Sequence, residues 1–140
     1  MQRALLAALA ALASLTGCAS TVVAVQDREV RDEIEALTWR PALVAELVGH
    51  WRARRIQGPA AAVLLDVSYW LDDSGRFSGA ALFAGPPPTY EVLAGTWSLA
   101  ADGTLQLGEE AEPAQAEIAG AYLRLRGTEG ALVFERAVIE

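Results

Sequence analysis

From residue 49 onward the chain is a succession of short apolar or alternating segments, each halted by turn residues. That rhythm limits the possible folds more than any other feature. The segments are "GHWRARRIQ", "AVLLDVSYWL", "RFSGAALFA", "TYEVLAGTWSL", "TLQLG", "AQAEIA", "AYLRLRG" and "ALVFERAVI". Between them stand "DDSG", "GPPP", "ADG", an acidic "EEAEP" and "TEG", the residue types that tight turns select. Eight short strands at this spacing, with no helical period among them, predict an all-β domain over residues 49–140. The simplest arrangement is a small antiparallel up-and-down β-barrel, because a meander that closes on itself leaves no free edge.

One or two short helices are expected before the barrel, in residues 26–48. In "QDREVRDEIEAL" the apolar Val30, Ile34 and Leu37 recur at i, i+4, i+7 among charged residues. Pro41 suits the first turn of a second helix over residues 41–48, which Gly49 would end.

The opening stretch has a different character. Arg3 is followed by an uncharged Ala- and Leu-rich run to Thr16, the pattern of a secretory leader and too short for a membrane span. It closes on Leu15-Thr16-Gly17-Cys18, and Cys18 is the only cysteine. This resembles the lipobox of bacterial lipoproteins. The resemblance implies alkylation of the Cys18 thiol by a diacylglyceryl group, cleavage between Gly17 and Cys18, and further acylation of the new amino group. A thiolate is the strong soft nucleophile such alkylation needs, and two or three acyl chains hold a protein to a membrane where one does not. The implied layout is a cleaved signal peptide (1–17), a lipidated tether (18–25), a short helical segment (26–48) and the barrel (49–140). Ala19 stands where an Asp would imply inner-membrane retention by the family's sorting rule, so the bacterial outer membrane is the expected location.

Composition narrows the partners. The 140 residues carry a net charge of −7, with no lysine. That acidity argues against nucleic acid or anionic headgroups as ligands. With a single cysteine, no disulfide staples the domain.

"LVGHW" resembles the entry to the lipocalin-like families, in which a short helix runs into Gly-x-Trp at the first barrel strand. Here these residues are Gly49 and Trp51. A second Gly-x-Trp, Gly95-Thr96-Trp97, precedes Asp102-Gly103-Thr104-Leu105-Gln106-Leu107, a pairing similar to that of small bacterial lipocalin-like lipoproteins. The resemblance covers residues 45–138. It implies that Trp51 crosses the barrel floor under an Arg of the last strand, here Arg136, as a structural pair. At this length the barrel would be shallow, either filled with side chains or holding one small ligand.

No catalytic constellation is visible, and neither a cofactor nor a metal is expected. His50 is the only histidine and sits within the Gly-x-Trp element. No Gly-x-Ser-x-Gly nucleophile turn is present to serve a triad. Asp72 to Gly75 lacks the alternating ligands of a calcium loop, and Glu109, Glu110 and Glu112 read as a solvated acidic loop. The 85–88 stretch either borders the barrel mouth or only joins strands. Alternation places Val63, Leu65, Val67, Tyr69 and Leu71 inside, with Phe77, Ala81 and Phe83 facing them from the next strand. Leu65, Val67, Tyr69, Phe77, Ala81 and Phe83 are therefore the pocket candidates, with the small Gly79 to Ala81 run as the place for a cavity. Those same small residues would equally allow tight packing. Trp70 would point outward, and Trp70 or Trp39 could anchor a partner protein. The expected function is a non-catalytic envelope protein that binds a small apolar or amphipathic molecule. The alternative is a filled barrel that contacts another envelope protein.

Overall fold

The computed structural model describes residue 31 and residues 33–109 and 111–138. Gly17, Cys18 and the rest of the expected leader lie outside them. The chain divides into two units, Met1–Thr38 and Trp39–Glu140. In the first, Arg31 and residues 33–35 are helical, within the stretch predicted as a helix; residues 26–30 and 32 fall outside the description.

The second unit is a closed, eight-stranded antiparallel barrel with one added strand. The barrel strands are β2 (Gly49–Gln57), β3 (Leu64–Leu71), β4 (Arg76–Phe83), β5 (Thr89–Leu99), β6 (Thr104–Leu107), β7 (Ala114–Ala119), β8 (Tyr122–Gly127) and β9 (Gly130–Arg136). Each pairs with the next, and β9 returns to β2 to close the ring. The added strand, β1 (Arg40–Pro41), pairs with Glu117 and Ile118 of β7.

The expected helix over residues 41–48 is not formed as predicted. Arg40 and Pro41 are extended, and only α1 (Val44–Leu47) is helical. The β7 ladder wins over a proline's fitness for a helix start. The Ala42 amide also donates to the Ala116 carbonyl at 3.0 Å, beyond the reach of β6. Glu46 then ties β1 to α1. Its carboxylate takes both terminal nitrogens of Arg40, and accepts the Leu43 amide at 2.9 Å.

The Arg40 hydrogen bonds, helped by the Leu43 amide and by the charges of Arg40 and Arg136, hold the Glu46 carboxyl at about 2, against partial burial. The ordinary value is 4.5, so the folded state binds this proton less readily than the unfolded chain does. The stabilisation is therefore complete above that value and fades as pH falls from about 4.5 towards 2. Thermal midpoints of the chain and of Glu46→Gln should differ at pH 6 and converge by pH 2. A gap of equal size at both would show that the carboxylate's charge contributes nothing.

The two ends of the barrel differ. The end bearing α1 and the 72–75, 100–103 and 120–121 turns is plugged. Leu47 and Trp51 are fully buried there, and Leu71 is nearly so. The Trp51 indole N–H donates to the Leu47 carbonyl at 2.8 Å, and the Trp97 indole donates to the Asp72 carbonyl at 2.9 Å. Asp72 shapes its turn by accepting from the Ser74 amide and hydroxyl and the Arg76 amide. These side-chain bonds depress its pKa, the Ser74 hydroxyl contributing most. It is a turn-forming residue.

Arg136, opposite Trp51 in the β2–β9 ladder, lays its guanidinium 4.3 Å from the centre of the Trp51 rings. It donates to the Val48 carbonyl at 2.7 Å and to the Glu46 carbonyl. A Cβ on Gly49 would run into that guanidinium, and its φ of 141° is one that L side chains rarely adopt. The glycine of the first Gly-x-Trp element is thus required by its own backbone conformation, and its missing side chain leaves the room that the Arg136 guanidinium occupies.

Candidate functional site

The opposite end is where the barrel can receive something. It is built from the connections at 58–63, 84–88, 108–113 and 128–129. Strand β6 spans only four residues and pairs with β5 at Trp97, Ser98 and Leu99. Residues 89–95 of β5 therefore pair with β4 alone, and the wall is open beside them.

Inside this opening lies a cavity of about 290 Å³, with Leu93, Leu105, Leu107, Leu125 and Leu132 among its lining residues. Tyr69 and Phe77 also line it, their rings 6.0 Å apart and edge to face. Ala111, Glu112, Pro113, Thr128 and Glu129 bring two loops to the lining. The Thr128 hydroxyl donates to Glu112 at 2.6 Å, joining the β6–β7 loop to the β8–β9 turn.

The Tyr69 hydroxyl has no hydrogen-bond partner among the described residues. Burial pushes its pKa above the usual 10, so the phenol stays neutral. Tyrosine hydroxyls in partly buried positions usually find a protein partner. This one is left available to whatever occupies the cavity.

Of the six residues read from sequence as pocket candidates, Tyr69 and Phe77 line the cavity. Val67 and Ala81 are packed in the core, at 2% exposure each, and Phe83 packs against it. Leu65 corrects the simple alternation. A bulge between Leu64 and Asp66 shifts the phase of β3, so that Leu64 packs against the core while Leu65 is 52% exposed. Val63, also read as inward, is 55% exposed, in the turn before β3.

The cavity does not open at the small run 79–81. Tyr69 sits opposite Gly79, and a Cβ there would press on the Ser68 carbonyl and stand 3.0 Å from the Tyr69 ring. The missing side chain is filled by the tyrosine ring, so the small residues serve close packing. Space appears instead across the barrel, where β6 ends early. Leu93, Leu107 and Leu132 were missed by the sequence reading. Inward alternation was their available signal, but nothing distinguished them from ordinary core.

The remaining candidates fall elsewhere. His50 stacks on Trp70 with ring centroids 5.2 Å apart, away from the cavity lining. Trp70 is 45% exposed. Trp39 is partly covered by the Arg124 guanidinium, 4.5 Å from its ring centre. Arg124 in turn bonds Glu117, which also takes Arg126. Burial opposes ionisation of Glu117, but these two arginines outweigh it and lower its pKa.

Among the described residues no group of three His, Cys, Asp or Glu side chains could hold a metal, and no helix is long and apolar enough to cross a membrane. No family model, curated protein or solved structure matches this chain.

Proposed function

We propose that this protein is a lipid-anchored envelope lipoprotein whose barrel holds a small apolar or amphipathic molecule without transforming it. The observation that carries the binding half is the apolar cavity, about 290 Å³, open at one end and equipped with an unpartnered hydroxyl at Tyr69. Binding pockets combine apolar walls with a few placed polar groups, and this cavity stands at the small end of their size range. At roughly 30 Å³ per heavy atom, it accepts about ten atoms. Native mass spectrometry of the purified chain tests this reading. A reproducible extra mass, lost on denaturation, is the expected result. Failure of the chain to carry any natural molecule, or to bind an added neutral fluorophore of that size such as 2-naphthol, would sink it.

The anchoring half rests on the Leu15-Thr16-Gly17-Cys18 sequence. Cys18→Ala should leave the precursor unlipidated and out of the detergent phase on Triton X-114 partition. A variant that still incorporates radiolabelled palmitate removes the assignment.

A second reading, contact with another envelope protein, is favoured by the outer face of β5. Tyr90 and Val92 are 73% and 88% exposed there. Ala80 and Leu82 of β4 stand opposite Val92 and Tyr90. An apolar row of this kind is the sort of surface that marks interaction sites.

A further inference from the structure

The charged groups around the cavity are all of one sign. Among the described residues, the four connections at the open end carry Glu109, Glu112 and Glu129 and no basic residue. Glu112 and Glu129 themselves line the cavity, one from each of the two loops that Thr128 joins. The nearest arginine in sequence, Arg126, is engaged with Glu117 of β7. The site is thus apolar within and negative at its rim, with the neutral Tyr69 hydroxyl as an inner polar contact.

We propose that the cavity selects a cationic amphiphile: an apolar body of about ten heavy atoms carrying an ammonium or guanidinium group at the mouth. This rests on the reading that the cavity holds a ligand, and it adds the charge of that ligand. The apolar body is drawn in by burial, as any would be. The head must then stop beside Glu112 and Glu129. A cation there gains attraction to both carboxylates, while an anion of the same shape meets repulsion from both and finds no basic side chain in the lining. Low-dielectric walls around a rim of one sign concentrate that field. Fatty acids and other anionic amphiphiles are disfavoured.

The test uses the full chain and displacement of neutral 2-naphthol, a fluorophore that matches the size of the cavity, by decyltrimethylammonium, decyl sulfate and decyl maltoside, each below its micellar concentration. Decyltrimethylammonium should displace the dye at about tenfold lower concentration than decyl sulfate at low salt, the sum of several weak rim interactions. The neutral maltoside should fall between them. Raising the salt to about 0.5 M should shrink the ratio, because exposed charges are screened. The double variant Glu112→Gln, Glu129→Gln should bring the ratio to within about twofold, the residue expected once both rim carboxylates are neutral.

Three results overturn the inference. Equal displacement by both ions, or tighter binding of decyl sulfate, refutes the charge selection and leaves the ligand-holding reading standing. A preference that survives in the double variant places its source elsewhere. No binding of the neutral dye by the folded chain refutes the ligand-holding reading, and this inference with it.

Discussion

Trp51→Ala should lower the thermal midpoint of the barrel by roughly 15 °C or more. Removing a fully buried tryptophan costs about 3–5 kcal/mol, and each kcal/mol moves the midpoint of a domain of this size by ~4–8 °C. Trp51 has no exposed surface, and its loss also frees the Leu47 carbonyl from its indole partner. Volume alone does not account for the site, and a second variant separates the parts. Arg136→Met keeps much of the length and apolar bulk but strands the Glu46 and Val48 carbonyls and removes the cation from the indole face. Losing hydrogen bonds to a charged donor costs about 2–3 kcal/mol. A midpoint within about 2 °C of the parent would reduce Arg136 to a cover over the tryptophan.

Filling the cavity should have the largest effect on binding. Leu93 lines the cavity from β5, opposite Gly79, beside the part of the wall that β6 leaves open. Leu93→Trp places additional ring atoms in that space, and occupancy by a neutral dye should fall by at least about tenfold. Stability should change little, because the added bulk enters a void and need not push apart packed side chains. Tyr69→Phe is the milder companion. It removes a hydroxyl that no described residue satisfies, so the empty protein should be as stable as the parent or slightly more so. A ligand that bonds that hydroxyl should bind more weakly by about three- to tenfold. Unchanged dye affinity in Leu93→Trp, with the fold intact, would move the binding site out of the barrel.

The strand pattern was legible because the turns announce themselves. "GHWRARRIQ", "TYEVLAGTWSL" and "AQAEIA" coincide with β2, β5 and β7 to the residue. Each is followed at once by turn or loop residues that mark its end, although "GHWRARRIQ" itself alternates poorly. β1 could not be read this way. Two residues, one of them a proline, carry no period, and they are extended because the edge of β7 is available to them. The inward face of β3 was legible from Val67 to Leu71 and wrong at Leu65, since a bulge changes phase without changing composition. The cavity was the least legible feature. It follows from the shortness of β6 relative to β5, a property of how two strands align. Gly79 and Ala81 looked like the space-makers because their own side chains are small. What fills the space is the ring of Tyr69, and a sequence does not say which neighbour will occupy a gap. The Trp51–Arg136 geometry depends likewise on pairing residues 85 positions apart, which only the ring closure between β2 and β9 creates.

That closure also has a consequence in time. The first barrel strand to leave the ribosome is paired with the last strand of the barrel, and Trp51 is capped by a side chain made 85 residues after it. Until Arg136 emerges, the barrel cannot close. Local hairpins such as β3–β4 can form early, but the ladder of greatest sequence separation must wait for the whole chain. Every barrel strand made before β9 therefore waits in an open sheet, with its inner face exposed, for the one strand that completes the ring.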